Sequence, residues 1–347
     1  MRRTFASLII VFFVVFPASA QPQEGKARTI ELTLYPAKYS EPKQKYQLLP
    51  KAQEQTDADA VPLYEKAVQS LPKDHTTDQL RQWLDTPSDK LPREQVQSTL
   101  QQLKPTLQLL EQAAKCKQCN WPPFKPGTLP ENLSEYRKLA YILALQARFQ
   151  VAQGQYDQAI STLQIGLAMA RHLGEAPTLI QGLVGVAIAG VIMNQAEELI
   201  QASNALSLYW ALRDLPKPFI DLTKQIEIEI ANIKKNENPV IRKQFEEQLK
   251  PAHERARMIA KKLDRHIAAL QCIEAMRLYA AGHNGKFPGA LAEIAEVPVP
   301  GDPVTRKPFS YTRIGSKAVL EAAAPEGATS KDAMRYELKL MEQNSRP

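Results

Sequence analysis

Residues 143–170 read LALQARFQVAQGQYDQAISTLQIGLAMA, and this stretch decides the fold. Leu133, Tyr136, Leu139, Leu143 and Ala147 recur at helical spacing and form one apolar stripe. Gly154 breaks that pattern. It resumes with Tyr156, Ala159, Ile160, Leu163 and Leu167, so a second helix follows the first. Two helices joined by so short a break predict a helical hairpin.

Helical signals dominate on both sides. Residues 57–72 carry Val61, Tyr64 and Val68 on one face and close on a proline. Residues 76–86 read as a short helix opened by a threonine cap. Residues 92–115 read as a long helix that Pro105 must kink or break, because proline lacks the donor and clashes with the previous turn. Residues 178–200 are apolar on every side from Leu179 to Met193, the mark of a fully buried helix or of a membrane span. Gln181 interrupts that run and Asn194 ends it, which makes it short for a span. Gly182, Gly185, Ala189 and Gly190 allow close helix approach there. Helices near 204–214 and 217–235 follow. Residues 242–265 mix eight basic with four acidic side chains, the pattern of a solvated helix face with i,i+4 pairs.

Gly154, Tyr156 and Ala159, with Leu163, Gly166 and Ala147, resemble the small and aromatic positions of a tetratricopeptide repeat. Gln150, where that family usually has an aromatic, and Arg171, where it has a closing proline, depart from it. A weaker half-match is Ala60, Tyr64, Ala67 and Pro72. There is no clean tandem array, so the resemblance implies helical hairpins packed side by side.

From residue 263 the pattern changes. Leu263, Ile267, Leu270, Ile273 and Met276 make one helical face. His283, Asn284 and Gly285 give a left-handed stop, and Pro288 forbids resumption. A short helix at 289–294 follows. Phe309, Tyr311 and Arg313 then alternate, Gly315-Ser316 turns the chain and residues 317–321 return it, which predicts a β-hairpin. The order Tyr279, Asn284, Gly285, Lys286, Phe287, Pro288, then Asp302, Pro303, Pro308, Phe309 and Tyr311 resembles the C-terminal part of type II secretion pseudopilins. That family carries an N-terminal hydrophobic helix with a prepilin leader, where an ordinary signal peptide and a helical domain are expected here, so assembly into a pilus is not implied. Some pseudopilins bind calcium in a late acidic loop. Here Glu326 is the only acid at that place, too few for a cation wanting six or more oxygen ligands.

The first twenty residues read as a signal peptide. Arg2 and Arg3 form its basic end, residues 8–16 an apolar run, and Ala18-Ser19-Ala20 a small-x-small cleavage site. An uncleaved anchor is the alternative, although the run is shorter than the ~20 residues of a span. No cysteine follows the cleavage site, so a lipid anchor is not expected. Removing two arginines lowers the formal charge from +7 to +5. Acids interleave with the basic residues, so nucleic acid is not an expected partner. The expected layout is a signal peptide at 1–20, a mostly irregular arm at 21–56 with one strand-like run, Thr29–Leu34, and a helical domain at 57–250 holding the repeat-like hairpin 133–173. A long helix with a small α+β unit at 251–327 and a tail at 328–347 complete it. With Cys119, Asn120 and Trp121 and the stretch 170–189, this layout resembles an uncharacterised family of exported bacterial proteins, and no established activity comes with the resemblance.

The stretch CKQCNW (116–121) holds two of the three cysteines. Zinc wants four ligands. Only Cys272 remains as sulfur, and His75, His172, His253, His266 and His283 are scattered. A c-type haem needs histidine where Asn120 stands. A thioredoxin-like centre needs a following helix, and Trp121-Pro122-Pro123 follows instead. In an oxidising compartment the expectation is a structural disulfide, Cys116–Cys119 or one of these with Cys272. His172 suits the end of a helix, and Asp302 before Pro303 suits a turn. Glu197 and Glu198 belong to an amphipathic surface turn or line a cleft. Trp121 and Trp210 read as core or connector anchors rather than sugar platforms. No nucleophile elbow, Walker loop, H-E-x-x-H or G-x-G-x-x-G occurs, so no catalytic residue, cofactor or metal is assigned. The sequence therefore predicts a mainly α, exported envelope scaffold that binds protein partners. A hydrolase or glycan-acting enzyme with an unrecognised site, or a secretion-system accessory, are the alternatives.

Overall fold

The computed structural model describes residues 29–37, 46–72, 77–123, 130–235, 238–325 and 328–341; the expected signal peptide, with Ala18 and Ala20, and His75 lie outside them. In chain order come β1 (Thr29–Leu34), β2 (Thr56–Asp59), α1 (Val61–Gln69), α2 (Thr77–Asp85), α3 (Arg93–Gln102) and α4 (Lys104–Ala114). Then follow β3 (Cys116–Gln118), α5 (Leu133–Ala152), α6 (Tyr156–Gly174), α7 (Leu179–Ile200), α8 (Tyr209–Arg213), α9 (Thr223–Lys234) and α10 (Pro239–Gly282). The chain ends with β4 (Ser310–Ile314), β5 (Lys317–Ala322) and β6 (Met334–Leu340). It is mainly helical with a small C-terminal sheet, as its periodicity predicts.

The quoted stretch is the hairpin α5–α6, with Gly154 at φ +72 between the helices, a conformation glycine adopts without steric cost. Pro105 lies in the first turn of α4, and the chain bends at Leu103, the last residue before that helix. α7 is by length and composition long and apolar enough to cross a membrane, yet 67% of its most apolar window is buried in the protein. It packs against α5, α6, α9 and α10 and is the central helix of the stack. Its approach to α6 is close: a Cβ on Gly185 would stand 2.6 Å from the Ala170 carbonyl oxygen. A smaller cluster, Leu80, Trp83, Val96, Leu103, Ile142, Leu145 and Phe149, fixes α2 and α3 onto α5.

The strand-like run Thr29–Leu34 of the arm is β1, and it joins the C-terminal sheet. Two expected boundaries are corrected. The tail at 328–347 contains β6, an inner strand of that sheet, whose order is β1-β6-β5-β4. β1 runs parallel to β6 with Ile30, Leu32 and Leu34 opposite Tyr336, Leu338 and Leu340. β5 is antiparallel to both β6 and β4. Leu32, Leu34, Tyr336, Leu338, Leu340, Ala318 and Leu320 are buried on one face, while Glu31, Thr33, Glu337, Lys339 and Lys317 meet solvent on the other. Finally, a boundary at 250/251 would cut α10, a single helix that runs through Pro251. The left-handed stop that ends it is Asn284 at φ 52 and Gly285 at φ 66.

Candidate binding groove

The CKQCNW stretch forms β3, which pairs in parallel with β2, Thr56 opposite Cys116. Behind the pair lies His172 near the end of α6. Tyr64 from α1 bonds its Nδ1 at 2.7 Å, and its carbonyl accepts from Trp121 Nε1 at 2.7 Å. Tyr64 and Trp121 lie with ring planes 4° apart and centroids 6.4 Å apart, and Tyr136 meets both edge-on. Burial pushes the His172 pKa down to about 4. The ring is therefore neutral, taking the Tyr64 proton at Nδ1 and giving its own to the Cys116 carbonyl.

The expected disulfide is absent: Cys116, Cys119 and Cys272 are all free thiols. The local geometry explains the first pair. Cys116 Sγ points back to the Gln112 carbonyl at 3.4 Å, and Cys119 Sγ to the His172 carbonyl at 3.9 Å. Three residues of extended chain separate their Cα atoms by about 10 Å, beyond the ~7 Å a disulfide tolerates. Cys272 is buried in α10 beside Tyr209 and Tyr311. Burial raises the pKa of Cys116 and Cys119, and that of Cys272 to about 12. Thiols so protonated are poor nucleophiles and poor metal ligands. The motif anchors the connector instead.

The remaining sequence candidates serve as joints. Glu197 accepts from Tyr336 Oη and faces His266 Nε2 at 2.8 Å, which ties α7 to β6 and α10. Glu198 turns the other way, to Arg148 at 2.8 Å and Ser88 at 2.8 Å, so the two glutamates do not share a cleft. Asp302 receives Arg265 through two bonds of 2.9 and 2.8 Å, each partner only 1% exposed in its side chain, and also accepts from Val304 and Thr305 in its own turn. Arg265 is thus a correction to the solvated face expected at 242–265. The exposed Lys243, Lys250, Arg255, Arg257 and Lys261 fit that face, but the loops after α10 close over Arg265. Sequence reasoning also missed Arg277, fully buried with Glu274, which bonds the carbonyls of Tyr35 and Ala205 and so ties the N-terminal arm to α10. Side chains of β4 hold the turn that follows α10. Phe287 is buried, its carbonyl accepts from Arg313 at 2.7 Å, and that of Pro288 from Tyr311 at 2.8 Å. Pro303 lies in the turn that Asp302 holds. Tyr156 opens α6 half-buried, and Ala159 is buried one turn on.

Among the described residues, no three His, Cys, Asp or Glu side chains are grouped to hold a metal ion. A groove of about 450 Å³ opens between α3–α4 and α5–α6. Six glutamines line it: Gln97 and Gln101 on α3, Gln108 on α4, Gln146 and Gln150 on α5, and Gln155 before α6. Leu143 and Phe149 are buried in its floor, and Leu100, Leu107 and Ile165 are half-buried in its walls. Lys104 and Glu111 supply one charge of each sign. Gln150 is 8% exposed; its oxygen accepts from Thr162 at 2.8 Å, and its amide nitrogen has no hydrogen-bond partner among the described residues. The sequence signal for the groove was the departure itself, a glutamine where the repeat pattern wants an aromatic. Against this geometry, a scan of protein-family models and searches of curated proteins and of solved structures each find no match.

Proposed function

We propose that this chain is an exported envelope protein that holds a protein partner on its helical stack and does no covalent chemistry on it. The groove between α3–α4 and α5–α6 carries this reading. It is a concave surface where polar side chains and apolar area meet, the combination from which binding sites are made. The joints around Glu197, Glu198, Asp302 and Glu274 favour it too, because their carboxylates are occupied by cations or hydroxyls from neighbouring elements. Export rests on the basic, apolar and small-residue order of residues 1–20.

The test is photo-crosslinking in cells, with p-benzoylphenylalanine in place of Gln101 or Gln155 in the groove and, as control, of Lys317 on the solvent face of the sheet. Discrete protein adducts in the envelope fraction from the groove positions, and none from the control, are expected. No adduct from either groove position overturns the reading.

A further inference from the structure

Taking the partner-holding reading as its basis, we infer that the groove binds an extended, uncharged peptide segment through a ladder of side-chain amides. The spacing carries this. Gln97 and Gln101, and Gln146 and Gln150, are four residues apart on their helices, which sets each pair about 6 Å apart along the axis. Peptide groups facing one side of an extended chain recur every two residues, about 6.7 Å. A strand lying along α3 and α5 therefore meets one carboxamide per exposed peptide group on each wall. A carboxamide offers both a donor and an acceptor, so it matches a peptide group whichever way that group points.

A second observation points the same way. Gln150 is nine-tenths buried at the base of the groove with its amide nitrogen unpartnered. That nitrogen opens onto the groove, where a carbonyl oxygen of an occupant can accept from it in place of water. Glu111 is already paired with Lys115 at 2.8 Å, which leaves Lys104 as one exposed lysine on the walls, too little to select a charged occupant. Alternate side chains of an extended segment point to opposite faces. One set meets the floor of Leu143 and Phe149 between walls of Leu100, Leu107 and Ile165, which favours small apolar residues at every second position. A glycan fits less well, because the lining has no tryptophan, tyrosine, aspartate or arginine to stack on or chelate a sugar.

The experiment is fluorescence polarisation of the purified full chain with three labelled octapeptide libraries, uncharged, acidic and basic, and with labelled chitotetraose as the glycan arm. Uncharged octapeptides binding at least tenfold more tightly than the other probes is the expected result. Gln101→Glu/Gln108→Glu changes only exposed side chains and should weaken that binding tenfold or more with an unchanged melting temperature. Gln150→Leu should weaken it similarly, the effect being read at temperatures where the variant is folded. Preferred binding of chitotetraose or of a charged library, no binding by any probe, or indifference to both variants overturns the inference. A crosslinked protein adduct at residue 101 without octapeptide binding overturns the inference alone and leaves partner holding intact. Loss of both overturns both.

Discussion

Protonation of His172 should unlock the joint between α1, α6 and the CKQCNW segment. Burial, more than the neighbouring Arg171, depresses its pKa from 6.5 to about 4. In the unfolded chain the ring takes a proton as pH falls through 6.5, while the folded chain resists until about 4. Stability is therefore fully present above 6.5, is lost as pH falls between the two values, and levels off below them. The gap is worth about 3 kcal/mol, of which about 2.4 kcal/mol falls between pH 7 and 4.5. Other groups titrate over that range, so the measurement must be a difference. His172→Gln keeps an acceptor for Tyr64 and a donor for the Cys116 carbonyl but does not titrate. Urea unfolding of both proteins at pH 7, 6, 5 and 4.5 should show the advantage of the wild type shrinking by about 2 kcal/mol as pH falls. A difference that stays constant across the series, or grows on acidification, would refute the reasoning. So would a ring that titrates near 6.5 by NMR in the folded protein.

Asp302→Asn should cost about 3–5 kcal/mol, because it leaves the Arg265 guanidinium buried without its counter-charge; a melting temperature within a few degrees of wild type would contradict this. Gly185→Ala should cost about 1–3 kcal/mol by forcing α7 off the Ala170 carbonyl, whereas Gly190→Ala, inside the same helix and meeting nothing within 4 Å, should stabilise by about 0.5–1 kcal/mol in the same denaturation assay. Without reductant, the unfolded protein should titrate three thiols with Ellman's reagent and the native protein should react slowly, since burial raises all three pKa values; fewer than three thiols on unfolding would restore the disulfide.

The helices were legible because their signal is local. The stripe from Leu133 to Ala147, the break at Gly154 and the stop at Asn284-Gly285 each lie within a few turns of the residues they organise. Strand β6 also carried a local signal, since Tyr336, Leu338 and Leu340 alternate with Arg335, Glu337 and Lys339. Its partner β1, however, lies at the other end of the chain, and no local pattern announces a parallel pairing across that distance. Arg265 and Arg277 were illegible for a different reason. A charged residue in a charge-rich helix looks solvated until the rest of the fold covers it, and their partners Asp302, Tyr35 and Ala205 come from remote loops. The groove hid similarly: glutamines on α3, α4 and α5 each suit a surface helix, and only packing of the two pairs makes them face one another.

The topology also orders the assembly of the two parts. β1 has β6 as its strand neighbour and Gln201, the residue that caps α7, against its free edge, where Gln201 Oε1 accepts from Thr33 N–H at 3.1 Å. The arm that follows is held by Arg277, itself anchored through Glu274 to Ser207 and Leu208. These contacts require α7, α10 and β6 together. The hairpin stack α5–α6–α7 is built from neighbours in sequence, so it forms on contacts with short loops to close, whereas the sheet must wait for the last strand to meet the first. The groove, between α3–α4 and α5–α6, takes no lining residue from the sheet. A variant that disrupts β6 should therefore destabilise the C-terminal sheet while sparing the amide ladder, and the joint at Glu197, His266 and Tyr336 is where the two responses meet.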